Sequence, residues 1–178
     1  PMGTGALLHK NLDLSTLVEG GTGTASFNFS QPNTYPEKLE SGTLNVPCIC
    51  GLKRGVEIVE KIGINKIFLK ESRLCEQAFE ELKKIPNVIL YRGNFDSSHY
   101  APLVSFNIKN MHSEQVSTLL NEKEIAVRGG YHCSPLAHIS QKTEKQGAVR
   151  VSPSIFTQEK DIKNLLNVVK KIAFLKNI

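Results

Sequence analysis

The sequence predicts a small α+β domain with a mainly antiparallel sheet, preceded by two helices and a long irregular segment. From about residue 87 onward, short β-rich runs and amphipathic stretches follow in the order β, β, α, β, β, α. Between residues 46 and 85, apolar residues recur at helical spacing. The length of 178 residues suits one domain, or one domain plus part of another.

The first 45 residues predict little regular structure. A turn over residues 1–5 leads into a predicted strand at residues 6–10, which has no earlier segment to pair with. Residues 11–45 are rich in Gly, Thr, Ser, Asn and Pro and predict an irregular segment with one short helix near residues 12–18. We therefore expect the chain to be part of a larger protein.

Two helices and then a sheet are predicted beyond this segment. The first helix begins at Val46, with Pro47 in its first turn, and stops at Gly63, whereas Pro86 ends the second. Predicted strands cover residues 88–91, 103–108, 125–128 and 148–151. Ser113 is predicted to cap a helix over residues 113–121, and a final amphipathic helix covers residues 158–176.

Composition and charge exclude several protein classes. The longest nearly uncharged stretch is interrupted by polar residues and proline, so no membrane-spanning helix is expected, and no signal segment stands out. We expect a cytoplasmic protein that does not bind membranes. The net charge of +5 would suit nucleic acid, but lysines alternate with glutamates and no RNP-like aromatic motif is present, so nucleic acid is not expected either.

The four cysteines are expected to be free thiols, because they are sparse in a chain of this size. A zinc site built from cysteines and histidines is weakly supported. Cys48 and Cys50 are separated by one residue instead of the two to four of structural zinc motifs, and the other candidate ligands fall in separate helices and loops. We therefore expect no metal site.

The strongest candidate for a nucleophile is Cys133, in the glycine-rich turn Arg128-Gly129-Gly130-Tyr131-His132-Cys133. The thiolate is the reactive form of cysteine, and cationic neighbours favour it. The alternative is a partly buried thiol in a surface loop with no catalytic role, and the local pattern leaves both open.

Arg150 is a candidate for binding a carboxylate. Alternation along a strand sends its side chain to the face opposite Val149 and Val151, and its planar guanidinium suits a bidentate carboxylate. A surface arginine is the alternative. Thr43, just before the first helix, is a candidate for binding an anion or, alternatively, a capping residue. The run Gly20-Gly21-Thr22-Gly23-Thr24 lacks the lysine of a phosphate loop and is interpreted as a flexible loop.

Four motifs follow one another along the chain: Pro1-Met2-Gly3-Thr4-Gly5-Ala6-Leu7, Glu40-Ser41-Gly42-Thr43-Leu44-Asn45, Arg128-Gly129-Gly130-Tyr131-His132-Cys133 and Gly147-Ala148-Val149-Arg150. In this order they resemble the carboxyl-terminal part of the pyridoxal-phosphate-dependent cysteine desulfurases of the class V aminotransferase family. The first motif is similar to the segment after the family's cofactor-binding lysine. The third is similar to its Arg-x-Gly-x-His-Cys motif.

The resemblance implies an α/β fold, the fold-type I of pyridoxal-phosphate transferases. Residues 1–63 would be the end of the large cofactor-binding domain with a connecting helix, and residues 64–178 the small α+β domain. The resemblance also implies pyridoxal 5'-phosphate as cofactor, L-cysteine as substrate, a homodimer with shared active sites, and a sulfur-acceptor protein as a further partner.

The resemblance implies residue roles as well. Cys133 would take sulfur from the bound cysteine as an enzyme persulfide, leaving L-alanine, while Arg150 would hold the substrate carboxylate. Arg128 and His132 would orient the loop and its reacting groups. Gly42 and Thr43 would reach the cofactor phosphate, which in this family is usually that of the neighbouring subunit.

The departures from the family pattern leave alternatives open. The Schiff-base lysine would precede Pro1, so the isolated chain is expected to be inactive. Leu44 replaces a proline, and Tyr131 replaces a histidine common in one branch. A selenocysteine lyase, a class V aminotransferase with Cys133 as a bystander, and a non-catalytic module for dimerisation or for docking a sulfur acceptor remain alternatives.

Overall fold

The structure, a computed structural model, describes residues 2–10 and 12–174. The chain divides into two compact units, Pro1–Ile62 and Gly63–Ile178. Within the described residues, no helix has both the length and the apolar character needed to cross a bilayer.

The first unit contains one long helix, α1, at Val46–Ile62, as the sequence predicts. Gly63, with a φ of 91°, follows it and stops it. Two predictions for this unit are wrong. Residues 6–10 form no strand, and residues 12–18 form no helix. A lone strand without a partner leaves its backbone groups unpaired, and this segment instead passes through turns, with short 3₁₀ helices at Gly23–Ala25 and Glu37–Leu39.

Side-chain hydrogen bonds hold the irregular segment together. Gln31, which is buried, donates its backbone N–H to the Glu19 carboxylate (2.9 Å) and its side-chain amide to the Glu40 carbonyl (3.1 Å). Lys38 forms an ion pair with Asp13 at 2.6 Å. Local polar contacts therefore replace the ladder of backbone bonds that a strand or helix would supply.

The second unit is an α+β domain with a three-stranded antiparallel sheet in the order β1-β2-β3, which confirms the predicted sheet. Its elements are α2 (Ile64–Leu82), β1 (Val88–Leu90), β2 (Val104–Ile108), α3 (Ser113–Asn121), α4 (Pro135–Gln141), β3 (Val149–Val151) and α5 (Glu159–Phe174). The last four residues of the chain, including the predicted end of the final helix, lie outside the described residues.

Two predictions about this unit are wrong in detail, and one helix was not predicted. The strand expected at residues 125–128 is reduced to a single bridge between Arg128 and Arg150, because Ile125 and Val127 pack against the core without forming a ladder. Helix α4 was not predicted, since seven residues are too few to show a period. Ser113 is the first residue of α3 instead of its cap, which is His112, and its side chain bonds elsewhere.

The two faces of the sheet have different characters. The register places Leu90, Phe106 and Val149 in one row across the three strands, on the face that packs against α2, α3 and α5. Arg150, paired with Ser105, lies on the opposite face. The apolar face anchors the sheet, and the other face is left for the polar residues described below.

We expect Phe106→Ala to lower the free energy of unfolding by about 3–5 kcal/mol, because it removes a fully buried ring from the central strand. Urea unfolding followed by circular dichroism measures this change. Phe156→Ala is the matched control, because Phe156 is 76% exposed and its loss should change the stability by less than about 0.5 kcal/mol. Equal losses in the two variants would contradict the placement of the core.

Candidate active site on the polar face of the sheet

The segment that carries Cys133 is attached to the free edge of β3. The Arg128 N–H donates to the Arg150 carbonyl (3.2 Å), and the Arg150 N–H donates to the Arg128 carbonyl (2.8 Å). The Ala148 N–H continues the pairing by donating to the Gly130 carbonyl (3.0 Å). The motif around Cys133 and the motif around Arg150, separate in sequence, are therefore neighbours in the fold.

Ser113 clamps this pairing from the first turn of α3. Its fully buried hydroxyl donates to the Gln146 carbonyl (2.6 Å) and accepts the Gly130 N–H (3.1 Å). A Cβ at Gly129 would lie 2.6 Å from the Ser117 hydroxyl oxygen, and a Cβ at Gly147 would lie 2.6 Å from that of Ser113. Both glycines are thus required by close approach, and Gly147 also has a φ of 65°.

Cys133 lies on an exposed turn directly before α4. Both His132 and Cys133 have left-handed backbone conformations, with φ of 53° and 57°, which cost non-glycine residues about 1–2 kcal/mol each. The Arg128 guanidinium lies 3.8 Å from the Cys133 sulfur. The structure therefore brings together the candidate nucleophile and the cation that the sequence singles out.

His132 is held in one orientation beside the cysteine. Its ring donates Nε2–H to the Ala148 carbonyl (2.9 Å), and Nδ1 is buried without a hydrogen-bond partner among the described residues. Burial lowers the pKa of His132, and the charges of Arg150 and Arg128 lower it further. The neutral ring, with a lone pair on Nδ1, is the favoured form.

Arg150 projects into a cleft of about 420 Å³ on the polar face of the sheet. Its Nε is buried and has no hydrogen-bond partner among the described residues. Ser105, His132 and Tyr91 line the same cleft. A cation with an unused donor in a concave polar site suits an anionic ligand.

Gly42 and Thr43 belong to the first unit. Gly42 adopts a left-handed conformation with a φ of 76°, and its N–H donates to the Gly21 carbonyl (3.2 Å). The neighbouring Ser41 hydroxyl donates to the Gly20 carbonyl (2.7 Å), and the Thr43 side chain is exposed. The glycine-rich run from Gly20 thus supports the turn that presents Thr43.

The remaining cysteines have different surroundings. Burial raises the pKa of the Cys75 thiol to about 12, so this core cysteine is inert at neutral pH. Cys48 and Cys50 are free thiols on α1. Across the described part of the chain, no group of three or more potential ligands is placed to hold a metal ion.

Sequence reasoning missed two residues that matter to this site. Ser113 was interpreted as a helix cap, and its bonds to Gln146 and Gly130 depend on tertiary contacts that no local pattern reports. Arg92, which lines the cleft opposite β3, follows β1 as an isolated arginine without a motif. The only signal for Arg92 is its position just after a predicted strand.

Comparisons with known proteins give one consistent result. A family model described as aminotransferase class-V matches residues 1–165. A cysteine desulfurase of Wigglesworthia glossinidia brevipalpis is 33% identical over 97% of this chain and 42% of its own length, so the chain spans less than half of this relative. A probable cysteine desulfurase of Pyrococcus abyssi is 30% identical over 88% of this chain and 38% of its own length.

Solved structures agree with these relatives. The apo structure of a cysteine desulfurase from Thermococcus onnurineus NA1 matches with a TM-score of 0.74 and 29% identity, over 88% of this chain and 38% of that one. The cysteine desulfurase CsdA from Escherichia coli matches with a TM-score of 0.73 and 27% identity, over 90% of this chain and 39% of that one.

We expect Gly147→Ala to lower the free energy of unfolding by more than about 1 kcal/mol, because alanine at this φ is strained and its Cβ would meet Ser113. Urea unfolding of the full chain measures the loss. Gly93→Ala is the control within the same unit, since a Cβ there meets nothing within 4 Å. A Gly147→Ala chain as stable as the Gly93→Ala chain would contradict the close approach of Gly147 to Ser113.

The lowered pKa of His132 makes stability depend on pH. Below about pH 6.5 His132 binds a proton in the unfolded chain more readily than in the folded chain, and this favours unfolding. Above this pH the ring is neutral in both states, so the full contribution of His132 to stability is present. It is lost as the pH falls from 6.5 through the lowered folded-state pKa. We expect His132→Gln to unfold with a shallower pH dependence over this window. Parallel pH profiles for the two chains would count against a buried neutral His132.

Proposed function

Because the chain belongs to the aminotransferase class-V family, we propose that it is the carboxyl-terminal part of a pyridoxal-phosphate-dependent cysteine desulfurase. This enzyme would remove sulfur from L-cysteine as a persulfide on Cys133 and leave L-alanine. The observation that carries the proposal is the exposed Cys133 thiol beside Arg128, in a segment paired with the strand of Arg150.

Arg150 would bind the substrate carboxylate. Its buried, unpartnered Nε needs an acceptor, and a carboxylate supplies two oxygens to a guanidinium. The burial of Val149 and Val151 on the other face holds the Arg150 backbone in place. The substrate would therefore be oriented by a group that the sheet fixes.

Arg128 and His132 would position the reacting groups. Arg128 contacts the Cys133 sulfur, and the same residue pairs with β3 through its backbone. The neutral His132 offers its Nδ1 as a proton acceptor, while Nε2–H keeps the ring in place. A persulfide formed on the exposed Cys133 would then be open to thiol exchange with an acceptor protein.

The cofactor site would use Gly42 and Thr43. The exposed Thr43 hydroxyl, three residues before α1, fits a phosphate ligand, and the open left-handed turn at Gly42 leaves room for its approach. Pyridoxal phosphate, when bound, supplies an electron sink for the substrate. We further propose that residues 1–63 belong to the large domain, that the enzyme is a homodimer, and that the 178 residues alone are inactive, because the family's lysine lies outside them.

We expect Cys133→Ala to abolish persulfide and alanine formation from L-cysteine in an enzyme of the relatives' full length that contains these residues. The nucleophile is lost, so the rate should fall by at least about 100-fold. Persulfide labelling and alanine quantification measure the loss, and the cofactor absorbance verifies that binding of pyridoxal phosphate is kept.

Cys50→Ala is the matched control, because Cys50 is also an exposed free thiol and should be dispensable. Retained sulfur release in Cys133→Ala would remove Cys133 from the mechanism. Sulfur release by the purified 178-residue chain with added cofactor would contradict the proposed need for the upstream lysine.

A further inference from the structure

The cleft that contains Arg150 holds a second arginine, Arg92, at the end of β1. Arg92 Nη2 donates to the Leu103 carbonyl (3.1 Å), and its guanidinium carbon lies 4.3 Å from the centre of the Tyr100 ring. A cation stacked on an aromatic ring and bonded to a carbonyl is held in one place. Arg92 is thus a fixed part of the cleft.

Both arginines have donors that the described chain does not use. Nη1 of Arg92 and Nε of Arg150 are buried and have no hydrogen-bond partner among the described residues. No aspartate or glutamate is found among the described residues that line the cleft. Two partly desolvated cations without a counter-charge are unfavourable, and an anion at each of them removes this penalty.

The strand order separates the backbones that carry the two arginines. Arg150 lies on β3 and Arg92 follows β1, and β2 lies between these two strands. Neighbouring strands are about 4.8 Å apart, so the two outer strands are about 10 Å apart. A ligand with two separated anionic groups suits two arginines that enter the cleft from the two outer strands.

We propose that Arg92 forms a second anion-binding subsite, which takes the distal carboxylate of a cysteine derivative whose α-carboxylate is held by Arg150. The inference rests on the proposed role of Arg150 and extends it to substrate selection. The ligand class is that of sulfur amino acids with a second carboxylate beyond the sulfur. Arg92 is accordingly a specificity-determining residue.

The test compares two stable thioethers of the same shape, S-carboxymethyl-L-cysteine and S-carbamoylmethyl-L-cysteine, which differ in the charge of the distal group. NMR titration of the full 178-residue chain measures the affinity for each. We expect the carboxymethyl compound to bind about tenfold more tightly, because its carboxylate accepts stronger hydrogen bonds from Arg92 than the neutral amide does. Arg92→Gln should remove this preference, and Arg92→Lys should retain part of it.

Two further variants separate this inference from the proposed function. Arg150→Gln should weaken both ligands, and Arg73→Gln, at an exposed arginine paired with Glu159, should change neither. Equal affinities in the unmodified chain, no binding at all, or a preference that persists in Arg92→Gln would overturn the second subsite. Unchanged binding of both ligands in Arg150→Gln would instead overturn the carboxylate role of Arg150. The unfolding transition of each variant verifies that it is folded.

Discussion

The backbone pairing between Arg128 and Arg150 is the interaction on which the site depends. It places the Cys133 turn along β3, so that the thiol and Arg150 lie on neighbouring segments. The pairing exists only because two chain segments pass close to Ser113, and this approach leaves no space for a side chain at Gly129 or Gly147. The buried Ser113 hydroxyl and these two glycines therefore fix the backbone pairing that positions the thiol.

The same pairing concentrates positive charge. Arg128 and Arg150 come together through their backbones, and Arg92 joins Arg150 in the cleft. The charges of Arg150 and Arg128 oppose protonation of His132, which burial already disfavours. Arginine suits this arrangement better than lysine, because it stays charged when partly buried and offers several donors in a fixed plane. The cleft thus combines positive charge that suits an anionic ligand with a His132 whose neutral form is favoured.

Most regular elements of the second unit could be predicted, with α4 and the strand expected at residues 125–128 as exceptions, whereas the contacts that make the site could not. Val88–Leu90 and Val104–Ile108 have β-rich sequences, and the alternation of Val149 and Val151 with Arg150 correctly placed the arginine on the other face. Helical spacing identified α1 and α2 equally well, yet α2 buries its apolar face and α1 has no buried residue. Periodicity reports a helix but not what the apolar face contacts. Ser113 and Arg92 act through tertiary neighbours, so no local pattern revealed them.

Arg150 and Cys133 lie on structural elements of different rigidity and accessibility. Arg150 lies on a strand whose neighbouring valines are buried in the core, and a strand holds a binding group more accurately than a loop does. Cys133 lies on an exposed turn, with its backbone in the left-handed region, so its thiol is open to solvent. The proposed chemistry requires this difference, because the substrate must be held still while the sulfur is taken and the same thiol must then be open to an acceptor. A thiol in the core, such as that of Cys75 on α2, could not be reached by an acceptor.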